Sequence, residues 1–195
     1  MRNLSFGIVA VGANLSGDAG TPHDQVIRAL MALQAHPDIA LRSVSRIWRT
    51  PAHPSGSGPD FANACCTLCS ILGPDPLLQL LHDIENALGR DRSTGRWGAR
   101  VVDLDLLALD DRILPDRACQ RAWATLSLDR QPHEAPDRLI LPHPRLQDRG
   151  FVLAPLADIA PGWRHPVDGR SVARMLADLG PAALAGMTPQ FPAFP

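Results

Sequence analysis

Residues 85–105 read ENALGRDRSTGRWGARVVDLD, and they join the end of a predicted helix to the start of a predicted strand. The helix ends at Gly89, and the strand carries Asp103 and Asp105. Four arginines and three glycines lie within the stretch. Guanidinium groups bind phosphate, and paired carboxylates bind divalent cations. The stretch therefore predicts a helix–strand junction that could bind a nucleotide triphosphate together with a metal ion.

The two aspartates are separated by a single residue. On a strand, both carboxylates would project from one face, roughly 7 Å apart, while Leu104 and Leu106 face the other way. Such a pair can flank one Mg²⁺ or hold two ions that phosphate oxygens bridge. A lone Asp-x-Asp is more often a solvated strand face, but the arginines immediately upstream favour the metal site.

Composition limits the classes of protein that fit. A chain of 195 residues with 45% hydrophobic content can build one core, so we predict a single domain over residues 1–180. The proline-rich tail, 181–195, has no periodicity and is predicted to be disordered. Net charge is −1, so no global field favours nucleic acid or an anionic membrane, and neither is a predicted partner. The predicted state is a monomer.

All 19 basic residues are arginines, and this excludes two kinds of chemistry. Without lysine, the chain has neither Schiff-base catalysis nor a glycine-rich phosphate loop that ends in lysine. Phosphate would be held by guanidinium groups and backbone amides.

The four cysteines are predicted to be reduced thiols that pack as small apolar residues. Three of them lie in Cys65-Cys66-Thr67-Leu68-Cys69, where neighbours on a strand point to opposite faces. The first apolar run, 6–11, is too short for a signal peptide, and no segment approaches a membrane span. These features predict a cytoplasmic protein.

Apolar periodicity and turn residues predict the order strand, helix, two strands, helix, strand. The ranges are 4–11, 22–36, 41–48, 61–72, 75–88 and 100–108. This order is typical of an α+β fold with helices on one side of an antiparallel sheet. Residues 112–138 are predicted to be an insertion with one short helix, 139–144 to be extended, and 171–179 to form the last helix.

The run from Ile84 to Asp105 resembles the signature of the 6-hydroxymethyl-7,8-dihydropterin pyrophosphokinase family. Further segments of that family follow in the same order: Gly12-x-Asn14-Leu15, Ser45–Pro51, Phe61-x-Asn63-Ala64, Leu141–Pro144 and Arg149–Leu156. The resemblance covers residues 4–163. It implies a ferredoxin-like sandwich and transfer of pyrophosphate from ATP to the pterin hydroxymethyl group, which releases AMP in tetrahydrofolate biosynthesis.

The resemblance also implies how ATP is bound. Asp103 and Asp105 would hold two Mg²⁺ ions that bridge the triphosphate, and Arg90 and Arg100 would complete the catalytic set. The residues implied for ATP binding are Glu85, Arg90, Arg92, Trp97, Arg100, Leu106, His143 and Arg149.

For the pterin, the resemblance implies a ring stacked between Phe61 and Phe151, with Asn63 reading its amide edge. Groups near Thr50, Pro51 and His53 would take the remaining polar atoms. A flat heteroaromatic ligand needs two apolar faces and a few directed hydrogen bonds, and these residues provide both.

Two segments depart from the family pattern. The loop 52–59 lacks the usual Gly and Gln residues, and the span from Asp105 to His143 is about 20 residues longer than in compact members of the family. Two other functions remain alternatives: a pterin or nucleotide binder without catalysis, and a nucleic-acid-binding module. The complete set of Asp103, Asp105, Arg90 and Arg100 argues against the first, and the net charge argues against the second.

Overall fold

Strand β1 (Ser5–Ala13) forms hydrogen bonds on both of its edges and lies inside an antiparallel sheet. This computed structural model describes residues 4–16, 20–52, 58–89, 101–127, 129–131 and 133–190. Within those ranges the other strands are β2 (Ile39–Val44), β3 (Ile47–Thr50), β4 (Phe61–Ser70), β5 (Asp103–Leu109) and β6 (Thr188–Gln190). Their order is β5-β1-β4-β3-β6, and β2 pairs with β4 beyond the end of β3.

The single strand predicted over 41–48 is split into β2 and β3. Ser45 lies at the break and is buried, and its hydroxyl accepts the N–H of Cys65 at 2.9 Å. Ser45 also donates its own N–H to the carbonyl of Cys65. The hydroxyl of Ser45 thus accepts a hydrogen bond in place of a backbone carbonyl, and the regular pairing with β4 is interrupted there.

Helices α1 (Pro22–Ala35) and α2 (Pro74–Ala87) cover one face of the sheet, as predicted. The cap predicted at Thr21 is present, because its hydroxyl accepts the N–H of Asp24 and the Asp24 carboxylate accepts the N–H of Thr21. Buried side chains of both helices pack against Val9 and Val11. This layer fixes the end of α2, and with it the position of Glu85.

A second helical layer covers the opposite face of the sheet. The prediction that the helices lie on one side only was therefore wrong. It comprises α4 (Gly150–Ile159) and α5 (Val172–Leu179), which pack on Ile8, Cys65 and Leu107. Apolar periodicity predicted α5 but not α4. Residues 152–156 are all buried and Pro155 lies among them, so α4 has neither the polar face nor the free backbone that indicate a helix.

The predicted insertion contains α3 (Arg117–Ala124), capped by the side chain of Asp116. Before this helix, Leu114 exchanges backbone hydrogen bonds with Leu141. Buried Gln120 donates from Nε2 to the carbonyl of Pro142 at 3.3 Å. The insertion therefore packs directly against the segment that precedes His143.

The tail differs from its prediction. Residues Pro181–Leu184 form a 3-10 helix, and Thr188–Gln190 form β6, which pairs with β3. Short strands at a sheet edge need no apolar periodicity, so the pattern that predicts longer elements does not detect β6. Residues 191–195 lie outside the described part of the chain.

No helix within the described ranges is long and apolar enough to cross a membrane.

Candidate active site

Register across the sheet brings the acidic pair and Asn63 to one face. Gly12 pairs with Asp103 on one side and with Asn63 on the other, and Ala10 pairs in the same way with Asp105 and Cys65. Residues directly opposite one another in an antiparallel sheet project from the same face. Cys65 packs under α4, so this shared face is the one covered by α4 and α5.

The alternation predicted for β5 is confirmed. Asp103 and Asp105 are partly exposed, whereas Leu104 and Leu106 are buried among the α1 and α2 side chains. Leu106, implied for the nucleotide site, is only 3% exposed. Its side chain belongs to the core, so only its backbone remains available to a ligand.

Glu85 reaches β5 from the end of α2. Its Oε1 accepts the N–H of Leu104 at 2.8 Å, and the side chain is 1% exposed. The carboxylate therefore holds the backbone between the two aspartates. Glu85 thus lies in the interior, behind the strand that carries the acidic pair.

Arg149 approaches the acidic pair from the start of α4. Its Nη1 lies 3.4 Å from Oδ2 of Asp105, and its guanidinium carbon lies 5.6 Å from the centre of the Phe151 ring. Both members of the ion pair are about one-third exposed, so solvent screens their attraction. One guanidinium thus connects the side predicted for ATP with the side predicted for the pterin.

His143 lies close enough to Asp103 and Arg149 for both charges to act on it. Its backbone N–H donates to Leu107 on β5, and its Nδ1 accepts the N–H of Arg145 at 3.1 Å. Burial and, to a lesser extent, the positive charge of Arg149 together lower the pKa of His143 to about 3, against the opposing effect of Asp103. The imidazole is therefore neutral at physiological pH, and its proton is on Nε2.

The acceptor side combines ends of β3, β4 and α4. Asn63 is 7% exposed and donates from Nδ2 to the hydroxyl of Thr50 at 2.6 Å. Phe61 is two residues before Asn63 on β4 and is partly buried, so both project toward α4. Phe151 at the start of α4 is 41% exposed. An exposed aromatic ring and a buried amide on one face suit a flat polar ligand.

Cys65 and Val152 hold the start of α4 against the sheet. The thiol of Cys65 donates to the carbonyl of Val152 at 3.5 Å, one residue after Phe151. Burial raises the pKa of the Cys65 thiol well above its ordinary value, and burial raises that of Cys66 to about 12. All four cysteines are free, in agreement with the prediction of reduced thiols.

Gly12 has a role that was not predicted from the sequence. A Cβ on this residue would lie 2.7 Å from Oδ1 of Asn63. The missing side chain leaves space for the amide between β1 and β4. Its place in the Gly12-x-Asn14-Leu15 segment was a signal that could have revealed it.

A second missed group links α4 to β3. Asp158 accepts two hydrogen bonds from Arg46, at 3.1 and 2.6 Å, and one from Nε1 of Trp48 at 3.0 Å. Asp158 lies more than 100 positions from both Arg46 and Trp48, so no local pattern indicates this contact.

Five residues that the resemblance implies lie outside the described ranges: His53, Arg90, Arg92, Trp97 and Arg100. Their roles stay predictions. Of the remaining ones, Glu85 and Leu106 have buried side chains, and the others fall into two groups. Asp103, Asp105, His143 and Arg149 form the first, and Thr50, Pro51, Phe61, Asn63 and Phe151 form the second.

Comparison with known proteins gives one family. The family described as "7,8-dihydro-6-hydroxymethylpterin-pyrophosphokinase (HPPK)" matches residues 8–161. A 2-amino-4-hydroxy-6-hydroxymethyldihydropteridine pyrophosphokinase of Pseudomonas aeruginosa is 36% identical over 87% of this chain and 88% of its own. The protein of the same name from Synechocystis is 33% identical over 90% of this chain and 78% of its own.

Solved structures agree at the level of the fold. An HPPK-DHPS triple mutant of Plasmodium falciparum superposes with a TM-score of 0.65 at 12% identity, covering 94% of this chain. The wild-type protein with SDX-DHP gives 0.62 at 10% identity. This chain spans less than half of those chains, 46% and 44%.

Proposed function

Because the chain belongs to the 7,8-dihydro-6-hydroxymethylpterin-pyrophosphokinase family, we propose that it transfers pyrophosphate from ATP to 6-hydroxymethyl-7,8-dihydropterin. The products are 6-hydroxymethyl-7,8-dihydropterin diphosphate and AMP, and the reaction serves tetrahydrofolate biosynthesis. One observation carries the proposal for the site. Asp103 and Asn63 flank Gly12 on one face of the sheet, so a metal–phosphate side and a heterocycle side adjoin.

We propose that Asp103 and Asp105 hold Mg²⁺, with two ions expected. The fit rests on the donor set, two partly exposed carboxylates on one strand face. Mg²⁺ is usually bound by one or two carboxylates, and phosphates and water complete its coordination. Bound there, the ions would neutralise charge on the phosphates.

The reaction forms a bond from the pterin hydroxymethyl oxygen to the β-phosphorus of ATP and breaks the bond from that phosphorus to the oxygen of AMP. The hydroxyl proton passes to a carboxylate or to water. Reactions of this type depend chiefly on alignment and charge neutralisation. Asn63 and the rings of Phe61 and Phe151 align the acceptor oxygen, and the arginines hold the phosphates.

His143 and Arg149 contribute differently to phosphate binding. A neutral imidazole with its proton on Nε2 donates a hydrogen bond without adding charge, whereas Arg149 adds a full positive charge. Arg149 is paired with Asp105 here, and it would exchange that carboxylate for a phosphate oxygen when metal occupies the aspartates. The catalytic set of the proposal is Arg90, Arg100, Asp103 and Asp105.

We also propose that the fold is ferredoxin-like and that the protein is a cytoplasmic monomer. The order β5-β1-β4 followed by β3 and β2, with α1 and α2 as the connections on one face, supports the fold class. Free buried thiols support a reducing compartment. Light scattering on the purified protein tests the monomer, and a stable dimer would contradict it.

The test of the activity follows AMP. Purified protein is incubated with ATP, Mg²⁺ and 6-hydroxymethyl-7,8-dihydropterin, and AMP is expected only when the pterin is present. Asp103→Asn or Asp105→Asn should lower turnover by about 100-fold or more, because charge stabilisation of the transition state is lost. Pterin affinity at saturating nucleotide should stay close to that of the wild type.

Asp111→Asn is the matched control, because Asp111 is exposed and lies just beyond β5. It should keep wild-type turnover. AMP release without pterin, or none with it, would contradict the proposed activity. Unfolding of the Asp103 and Asp105 variants would instead show that these two aspartates stabilise the fold rather than bind metal.

A further inference from the structure

The last described segment of the chain, 181–190, contacts both sides of the proposed pterin site. The family match ends at residue 161, before this segment begins. Its 3-10 helix, Pro181–Leu184, lies against the start of α4, and β6 pairs with β3. We refer to residues 181–190 as the C-terminal brace.

The first contact is at Pro51. Gly186 has φ +75°, and a Cβ built on it would lie 2.8 Å from Cγ of Pro51. Pro51 follows Thr50, whose hydroxyl accepts the hydrogen bond from Asn63. Only a residue without a side chain lets the brace approach the turn after β3 this closely.

The second contact is at Gly150. A Cβ there would collide with the backbone carbonyl of Ala183. Gly150 precedes Phe151, so the brace also lies against the backbone that carries the exposed ring. After these contacts β6 extends the sheet, pairing Arg49 with Thr188 and Trp48 with Pro189.

We propose that the C-terminal brace positions Pro51 and Phe151 and thereby sets the affinity for the pterin, without a comparable effect on ATP. The proposal rests on the pterin being the acceptor of the proposed function. The brace contacts the ends of β3 and α4, whereas Asp103, Asp105 and His143 of the ATP side lie on β5 and the segment before α4. Arg149 also belongs to the ATP side and adjoins the contact at Gly150, so the contact at Gly186 is the one that separates the two substrates. The brace acts as a positioning element, and its residues need not touch the ligand.

The test uses Gly186→Ala with Gly169→Ala as its matched control. Both glycines have nearly the same positive φ, +75° and +76°, but a Cβ on Gly169 meets nothing within 4 Å. The two variants therefore carry the same backbone strain, and only Gly186→Ala displaces Pro51. We expect the KM for pterin to rise roughly tenfold or more in Gly186→Ala, since small displacements of a bound substrate are costly. The KM for ATP should stay within about twofold in both variants.

A double variant checks the contact itself. Pro51→Ala removes the two ring atoms that the added Cβ would meet, so Pro51→Ala/Gly186→Ala should bind pterin as Pro51→Ala alone does. Pterin fluorescence titrations with a non-hydrolysable ATP analogue give the same comparison without turnover. If the wild type releases no AMP, the proposed activity fails, while these titrations still decide on the brace.

Two results would overturn the inference. One is an equal pterin affinity in Gly186→Ala and Gly169→Ala, and the other is an equal loss of affinity for pterin and for ATP in Gly186→Ala. If Gly186→Ala does not fold, Gly150→Ala poses the same question at the other contact. Its control is Gly162→Ala, where a Cβ meets nothing. A pterin affinity of Gly150→Ala equal to that of Gly162→Ala would then reject the brace.

Discussion

At the residue scale, three histidines share one local arrangement. His36, His143 and His165 are each followed by proline, and each accepts on Nδ1 the N–H of the residue two positions later, at 3.2, 3.1 and 3.3 Å. Proline fixes its own φ and has no N–H, so the next N–H is free to turn back to the ring, as in an Asx turn. A proton on Nδ1 would break this bond. At His143 and His165 the arrangement agrees with the lowered pKa of the imidazole, which favours the neutral form.

His143→Ala tests the proposal that the neutral imidazole of His143 donates a hydrogen bond to phosphate. We expect kcat/KM for ATP to fall roughly tenfold or more, the usual loss for a hydrogen bond to a charged group. The shape of the pH profile between pH 6 and 8 should not change, because burial and Arg149 keep the pKa of His143 near 3. Initial rates across that pH range provide the measurement.

His36→Ala is the control for this variant. It removes the same Nδ1 bond at the end of α1, away from the site, and should keep wild-type kcat/KM. An ionisation between pH 6 and 8 that disappears in His143→Ala would show that His143 is charged in the working range.

At the element scale, α4 is held to β3 by one carboxylate. Asp158 is 16% exposed at its side chain and accepts from both Arg46 and Trp48. Arg46 also lies over the Trp48 ring, 5.2 Å from its centre. The contact joins the helix that begins beside Phe151 to the strand that ends at Thr50.

Asp158→Ala should lower the free energy of unfolding by about 1–3 kcal/mol, because charge-assisted hydrogen bonds are lost and the indole N–H is left without its acceptor. The KM for pterin should rise in the same variant. Urea unfolding and steady-state kinetics measure the two effects. Asp137→Ala removes an exposed carboxylate that pairs with its neighbour Arg138, and it should leave both unchanged. A rise in the KM for pterin without loss of stability would contradict a structural link.

Local pattern was enough to predict some elements but not others. Thr21 and the spacing of apolar residues indicate α1, and the alternation Asp103-Leu104-Asp105-Leu106 indicates β5 and its faces. The helix α4 is apolar all round and contains Pro155, so nothing local separates it from a buried strand. The split at Ser45 and the strand β6 depend on partners far away in the chain.

The site was predictable in the same measure. The resemblance and the Asp-x-Asp spacing identify residue types, and the structure brings Asp103, Asp105, His143 and Arg149 together. Leu106 shows the limit, since a position within a motif does not reveal that its side chain lies in the core. The Gly12–Asn63 contact requires the register of β1 with β4, which no single segment contains.

At the scale of the whole molecule, the imidazoles of His143 and His165 link stability to pH. Burial lowers the pKa of His165 as well as that of His143, and His165 is 3% exposed. Unfolding returns each to an ordinary pKa of about 6.5. Below that pH the unfolded chain binds more protons than the folded one, so stability is lost as pH falls from 6.5 toward 3.

We expect the free energy of unfolding to decrease between pH 7 and pH 5, by up to about 1.4 kcal/mol per pH unit for each imidazole that takes up a full proton. His165→Gln should reduce this slope. Urea titrations at a series of pH values measure it, with the exposed His133→Gln as the control. Constant or greater stability at pH 5 would contradict the assignment.

The pairing of β6 with β3 has a consequence for biosynthesis. Arg49 and Thr188 are partners in that pair, so a strand made early is paired by residues made well over a hundred positions later. Chains grow from the N-terminus at about 5–20 residues per second, so β1 to β5 are all made before β6. The sheet can therefore begin to assemble during synthesis, whereas the edge of β3 beside the acceptor side is completed only once residues 188–190 have been made.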